Sequence, residues 1–132
     1  MKKYALYFIF GFMATIVFHQ LALYVLFLLG KVPAMPWNFS GVPPMGVPKV
    51  ISLSFFGGLW GIPLGIILDK LSSAKFWITS IVFGAIFPTA VAMLVVFPMK
   101  GIPVGNQTII GGLIVNAAWG LGVGIQQKVI LK

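Results

Sequence analysis

"FFGGLWGIPLGI", residues 55–66, and "VNAAWGLGVGI", residues 115–125, are two versions of one helical surface in a single short chain. The Trp-Gly pair at 60–61 recurs at 119–120, an offset of 59 residues. Glycines recur every four residues around the first pair, and around the second the same spacing gives Gly112, Asn116, Gly120 and Gly124. This spacing places the residues of each series on one face of a helix. Helix faces that consist of glycine have no side chains, so they let helix backbones approach each other closely in a lipid bilayer. The repeat therefore predicts a membrane protein built from closely packed helices.

Eight residues make up the two repeated faces. They are Gly57, Trp60, Gly61 and Gly65 in the second helix, and Gly112, Trp119, Gly120 and Gly124 in the fourth. We expect these faces to pack the second and fourth helices against each other, or against another protomer, with each tryptophan beside the contact. A repeated unit of two helices must keep its direction, so the pattern favours two parallel hairpin repeats around an axis normal to the membrane.

The composition predicts that lipid surrounds most of the chain. Sixty per cent of the 132 residues are apolar and only 8% are charged, which is too little polar surface for a soluble domain of this size. A helix needs about 20 apolar residues to cross a bilayer. We predict an all-α polytopic membrane protein with one membrane domain over residues 1–132. The predicted helices are Tyr4–Leu29, Val50–Leu68, Phe76–Phe97 and Thr108–Gln126.

The charge pattern predicts an orientation rather than a nucleic-acid partner. The net charge is +8, but the lysines form no basic stripe with interleaved aromatic residues. Six of the nine lysines lie on one side of the four predicted spans, and the positive-inside rule makes that side, with both termini, cytoplasmic. These six are Lys2, Lys3, Lys70, Lys75, Lys128 and Lys132; the other three are Lys31, Lys49 and Lys100.

The first helix begins like a secretory signal, with two lysines followed by an apolar run. That run is longer than the usual signal core, and no small-x-small cleavage site ends it. We therefore expect a retained membrane helix. The chain has no cysteine, which excludes disulfides, thiolate metal sites and cysteine nucleophiles.

A proline-rich connection over residues 30–49 separates the first two helices. Its five prolines exclude a spanning helix. The connection is nevertheless rich in apolar residues, so we expect it to lie in the outer interface or to fold back over the helix ends. Trp37 is expected at the level of the lipid headgroups.

Three polar residues at membrane depth are the candidate functional positions: His19, Gln20 and Asn116. Polar groups there are costly, which makes them functional candidates. His19 shares a small-residue face of the first helix with Gly11 and Thr15, so it either packs structurally against another helix or serves a haem, a metal, a proton path or a quinone. One histidine supplies only one axial haem ligand, and zinc or copper needs partners that the chain lacks. We predict no cofactor and no metal. Asn116 is expected to form an interhelical hydrogen bond.

Two prolines inside the predicted spans, Pro63 and Pro88, are expected to kink their helices. Each removes a hydrogen bond to a carbonyl four residues earlier, and the freed carbonyls must face protein or a cavity. The only acid, Asp69, lies at a helix end beside Lys70. Without a carboxylate pair, an activated nucleophile or a phosphate loop, the sequence does not indicate an enzyme.

The stretch "FHQLALYVLFLLGKVPAMPWNFSGVPPMGVPKVISLSFFGGLWG" resembles small four-span inner-membrane proteins of bacteria. In those proteins an "FHQ" helix, a proline-rich loop and an "SLxFxGGxWG" helix follow one another. The resemblance covers about residues 14–66 and implies a bacterial inner-membrane location. It implies no activity, because those proteins have none assigned.

Two functions are compatible with these features. The first is a non-enzymatic membrane protein that packs through its glycine faces, as an accessory subunit of a larger complex or as a homo-oligomer. The alternative is a small-solute transporter or channel with a route near His19 and Asn116. A contact with a quinone or a lipid at His19 is a third alternative.

Overall fold

The computed structural model describes residues 2–33, 35–42 and 45–131. Lys132, one of the six lysines that we place on the cytoplasmic side, lies outside the described residues, as do Met1, Ala34, Pro43 and Pro44. The elements are, in chain order, α1 (Lys2–Leu28), β1 (Gly41–Val42), β2 (Val47–Pro48), α2 (Lys49–Asp69), α3 (Ser73–Lys100) and α4 (Asn106–Leu131).

The all-α fold class is confirmed. Helices make up 80% of the chain, and four of them are long and apolar enough to cross a membrane. α3 and α4 extend beyond the predicted ranges 76–97 and 108–126. Hydropathy marks the apolar part of a span, whereas the helix continues through residues such as glutamine and lysine, which are good helix formers.

Two wide turns interrupt the regular helices. Thr15–His19 in α1 and Ala92–Val96 in α3 are π-helical. In the first, the backbone N–H of Gln20 donates to the carbonyl of Thr15 five residues earlier. A π turn shifts the hydrogen-bond register by one residue, and the carbonyl of Ile16 thereby loses its usual α-helical donor.

The first helix of each hairpin ends in the same way. Gly30 and Gly101 have φ angles of 72° and 70°, a left-handed conformation that glycine adopts without a Cβ penalty. The following N–H groups reach back five residues, from Lys31 to Leu26 and from Ile102 to Phe97, each over 2.9 Å. This Schellman arrangement satisfies the last carbonyls of α1 and α3.

The helices pack in the spatial order α2–α1–α4–α3. The extensive contacts are α1 with α2, α3 with α4, and α1 with α4, whereas α2 makes few contacts with α3 or α4. The buried core draws side chains from all four helices. Its buried residues are Tyr7, Phe10, Ala14, Leu64, Leu68, Phe76, Trp119 and Val123.

One end of the bundle carries most of the lysines. Lys3 Nζ lies 3.0 Å from Asp69 Oδ2, which joins the start of α1 to the end of α2. The start of α3 and the end of α4 lie at this same end because the four helices alternate in direction. The grouping of the described lysines therefore agrees with the predicted one. At the opposite end, β1 and β2 form a short antiparallel pair in which Val42 faces Val47.

Candidate functional site

The first glycine face brings the backbones of α1 and α2 together. A Cβ added to Gly11 would lie 3.0 Å from the Cα of Gly61, and one added to Gly61 would lie 2.9 Å from the Cα of Gly11. The Thr15 hydroxyl covers Gly57 and donates to the Gly11 carbonyl over 3.0 Å. These helices therefore pack backbone against backbone.

The second glycine face joins α3 to α4 in the same manner. A Cβ added to Gly84 would lie 2.8 Å from the Cα of Gly120, and one added to Gly120 would lie 3.2 Å from the Cα of Gly84. The Ser80 hydroxyl donates to the carbonyl of Gly120. Gly124 lies against the Ser80 side chain: a Cβ added to Gly124 would lie 3.2 Å from the Cβ of Ser80.

The expected partners of the glycine faces are wrong. We expected α2 to pack on α4, or on another protomer, but each face contacts the preceding helix of its own hairpin. The reason lies in Gly11 and Gly84, each the single glycine inside its helix, which supply the matching bare surfaces. The other glycines of the two faces also contact the preceding helix. Gly65 lies beneath the Tyr7 ring of α1, and Gly112 lies against Thr89 and Met93 of α3.

The two repeated tryptophans have different surroundings. Trp119 is 2% exposed, and its indole N–H donates to the Gly11 carbonyl over 3.0 Å, joining α4 to α1. Trp60 is half-buried and lies edge-on to the Phe83 ring of α3, with centroids 6.1 Å apart. Within the described residues the Trp60 indole N–H has no hydrogen-bond partner. The Trp119 side chain is thus enclosed within the chain, whereas the Trp60 side chain is partly exposed.

The exposed side of α2 that carries Trp60 forms a shallow groove, which we call the Trp60 groove. Its volume is about 360 Å³, and it is lined by Phe56, Leu59, Trp60 and Pro63. These positions are three, four and seven residues apart, the spacing of a single helix face. Pro63 lies inside the continuous helix α2, and Pro88 precedes the wide turn of α3 by four residues.

The proline-rich connection folds back along α1. The Trp37 indole N–H donates over 2.8 Å to the carbonyl of Ile16, the carbonyl that the π turn releases. Ile16 lies twelve residues before Leu28, which corresponds to about 18 Å along the helix. Trp37 is therefore deeper than the helix end where we expected it. Its φ angle of 49° is rare for a bulky residue and concentrates at functional or strongly constrained positions.

Gln20 is the polar residue that anchors this connection. It is 1% exposed, and its Oε1 accepts the backbone N–H of Trp37 over 2.7 Å. That bond orients the amide, so Nε2 points to His19 Nδ1 at 3.1 Å. An amide nitrogen only donates, so Nδ1 accepts and the ring proton of a neutral His19 belongs on Nε2. The two candidate residues thus contact each other, with Gln20 more deeply buried than His19.

Asn116 has a packing role in this structure. Its Nδ2 donates over 2.9 Å to the Thr89 hydroxyl and joins α4 to α3. This is the interhelical hydrogen bond that we expected. Such bonds contribute about 0.6 kcal/mol on average in membrane proteins.

Sequence reasoning missed two glutamines near the end of α4. Gln126 Nε2 donates to the carbonyl of Phe10 over 2.9 Å, and Gln127 Nε2 donates to that of Gly65 over 3.0 Å. Gln127 is fully buried, and its Oε1 is the one buried side-chain polar atom without a partner in the described residues. Two adjacent glutamines at the end of an apolar run are typical of the end of a membrane span. The sequence therefore contains no indication that they bond to α1 and α2.

The described residues contain no group of three or more histidine, cysteine, aspartate or glutamate side chains that would hold a metal ion. The single carboxylate, Asp69, is paired with Lys3. The polar arrangement that joins the proline-rich connection to α1 is the one around Gln20 and Trp37, and the Trp60 groove is a separate, apolar surface on α2. No protein-family model, no curated protein and no solved structure matches the chain.

Proposed function

We propose that this chain is a non-enzymatic multi-pass protein of the bacterial inner membrane that acts by associating with other membrane-spanning helices. It serves as an accessory subunit or forms a homo-oligomer. The observation that carries the proposal is the different surroundings of the two repeated tryptophans. Trp119 is satisfied inside the chain by Gly11, whereas Trp60 faces an open groove with an unpaired N–H.

An unpaired polar group at this depth calls for a partner. Trp60 lies eleven residues after Lys49 and nine before Asp69, so it is about 16 Å and 14 Å along α2 from the two ends. Tryptophans of the membrane-interface belts lie at headgroup level instead. In the hydrocarbon region neither lipid tails nor water satisfies the indole N–H. A carbonyl on another helix would do so, as Gly11 does for Trp119.

In this proposal the glycine faces do not contact another protein. Gly57, Gly61, Gly120 and Gly124 are covered by α1 and α3 of the same chain. Their role in this proposal is to hold each hairpin rigid, so that the Trp60 groove has a fixed shape. The surface proposed to contact another membrane protein is the outer face of α2.

The lysine distribution supports an orientation with both termini in the cytoplasm. Lys2, Lys3, Lys70, Lys75 and Lys128 are grouped at one end of the bundle, and the lysines at the other end are fewer. Cytoplasmic ends carry the excess of lysine and arginine in bacterial membrane proteins.

The alternative function, a small-solute transporter or channel, would use His19 and Asn116. The structure gives these side chains protein partners: Gln20 beside His19, and Thr89 beside Asn116. Flux above that of empty vesicles, lost in the variant His19→Ala, would favour this alternative.

Native mass spectrometry after gentle extraction from bacterial membranes tests the proposal. We expect a species heavier than the 14.3 kDa chain, either a homo-oligomer or a complex with a second membrane protein. A population consisting only of single chains with bound lipid would contradict the proposal.

A further inference from the structure

A second groove lies at the lysine-rich end of the bundle, between the start of α1 and the end of α2. We call it the Lys70 groove. Its volume is about 380 Å³, and it is lined by Lys3, Tyr4, Tyr7, Ile66, Asp69 and Lys70. On each helix the lining residues lie within about one turn of one another. The groove is therefore a local feature of the membrane boundary, where the two helix ends meet.

The charged side chains of this groove leave one positive charge without a counterion. Asp69 is the only acidic residue of the chain, and Lys3 Nζ lies 3.0 Å from its Oδ2. The described residues therefore offer Lys70 no carboxylate side chain of its own. An ammonium group has three donors, and Lys3 uses one of them on Asp69, so it keeps two. Both lysines can thus donate to an anion that has several acceptor oxygens.

The part of the groove that lies deeper in the span is aliphatic and aromatic. Tyr7 follows Lys3 by four residues and Ile66 precedes Lys70 by four, so their Cα atoms lie about 6 Å further into the membrane. The side chain of Ile66 is 37% exposed, whereas that of Tyr7 is 2% exposed and forms an inner wall. This order, from charge at the boundary to apolar surface below it, matches a phosphate group joined to an acyl chain.

We infer that the Lys70 groove binds an anionic phospholipid, with phosphate oxygens accepting from Lys3 and Lys70 and the start of an acyl chain against Ile66 and Tyr7. Basic pockets between helices at the cytoplasmic boundary recognise such headgroups. Tyr4 is 50% exposed, and tyrosine is enriched at headgroup level. Because Asp69 is already paired with Lys3, the groove favours an anionic headgroup over one that ends in an amine. This surface is separate from the Trp60 groove, and the inference does not depend on association through α2.

Native mass spectrometry of the delipidated chain, titrated with defined lipids in detergent micelles, tests the site. The probes are phosphatidylglycerol and phosphatidylcholine with identical acyl chains, and we expect phosphatidylglycerol to bind more tightly. Lys70→Gln is expected to lower the affinity for phosphatidylglycerol about fivefold, since a lysine near an anionic lipid surface contributes about 1 kcal/mol. Lys70→Arg is expected to keep the parent affinity. The matched control is Lys128→Gln, which removes the same charge at the same end of the bundle from a residue outside the groove.

The variant Asp69→Asn is expected to change the affinity in the opposite direction. It removes the negative charge of the groove and frees the third donor of Lys3, so phosphatidylglycerol should bind more tightly than to the parent chain. The same titration measures this change. A lower affinity in Asp69→Asn would show that the groove does not recognise an anion.

The remaining outcomes separate a lipid from a soluble phosphate and from the proposed association. Equal affinities for the two lipids, or equal losses in Lys70→Gln and Lys128→Gln, would overturn the site. Glycerophosphoglycerol, the same headgroup without acyl chains, is expected to bind much more weakly, and binding as tight as that of the intact lipid would overturn the assignment to a phospholipid. None of these results bears on the association of the chain with other helices, which native mass spectrometry of the extracted complex tests separately.

Discussion

The variant Gly120→Ala is expected to lose about 3 kcal/mol of unfolding free energy, the upper part of the range for overpacking. The added Cβ would meet the Ser80 carbonyl and lie 3.2 Å from the Cα of Gly84. Both are backbone groups, which cannot rotate away, so α3 and α4 must separate. The same loss is expected for Gly61→Ala, whose Cβ would lie 2.9 Å from the Cα of Gly11. Unfolding in mixed micelles, followed by helical circular dichroism, measures both.

The sign of the change in unfolding free energy distinguishes a backbone contact from its absence. Helix propensity alone favours alanine over glycine by about 1 kcal/mol, so without the close approach both variants would be more stable than the parent. Gly105→Ala is the control, since an added Cβ there has no neighbour within 4 Å. The carbonyl of Gly105 accepts the Ile109 N–H at the start of α4, where alanine caps a helix less well than glycine, so a loss of at most about 1 kcal/mol is expected. Stabilisation by Gly120→Ala or Gly61→Ala would contradict the backbone contact between the helices of each hairpin.

The second large effect is expected for Trp37→Ala, which should release the connection from α1. The substitution removes the indole and leaves the Ile16 carbonyl without its donor. An unsatisfied buried carbonyl costs about 1–3 kcal/mol. The released connection should be cut by trypsin after Lys31 faster than in the parent, and gel analysis of timed digests measures the rate.

Two further variants separate the ring of Trp37 from its N–H group. Trp37→Phe keeps the apolar ring and loses only the donor, so its cleavage rate should lie between those of the parent and Trp37→Ala. Phe39→Ala is the control because Phe39 is in the same connection and is 69% exposed. Equal cleavage rates for Trp37→Ala and Phe39→Ala would show that Trp37 does not anchor the connection.

The architecture was predictable from the sequence because the bilayer imposes simple requirements. Four apolar stretches of about 20 residues leave one solution, four spanning helices. The repeated Trp-Gly pair likewise identified real packing faces. The partners of those faces were not predictable from the glycine spacing, which gives the face of one helix only. The single glycines Gly11 and Gly84 were the available signal, since each is the one bare position in its helix.

The surroundings of Gln20 were much harder to predict. They depend on a π turn at Thr15–His19, and the sequence there contains no proline or glycine to indicate it. The turn releases the Ile16 carbonyl, and its donor comes from Trp37, twenty-one residues away in a segment that looked like a surface loop. A contact that requires a shifted helix register and a returning loop together has no local sequence signal.

Comparison of Trp60→Phe with Trp119→Phe is the most direct test of the claim that Trp119 holds the chain together whereas Trp60 is available for association. Trp119→Phe is expected to lower the unfolding free energy by about 1 kcal/mol and leave the associated fraction unchanged. Trp60→Phe is expected to leave unfolding of the single chain unchanged and to reduce the associated fraction. Micelle unfolding and native mass spectrometry on both variants give the four values. Equal destabilisation of the single chain by both substitutions, with association unaffected by either, would contradict the account.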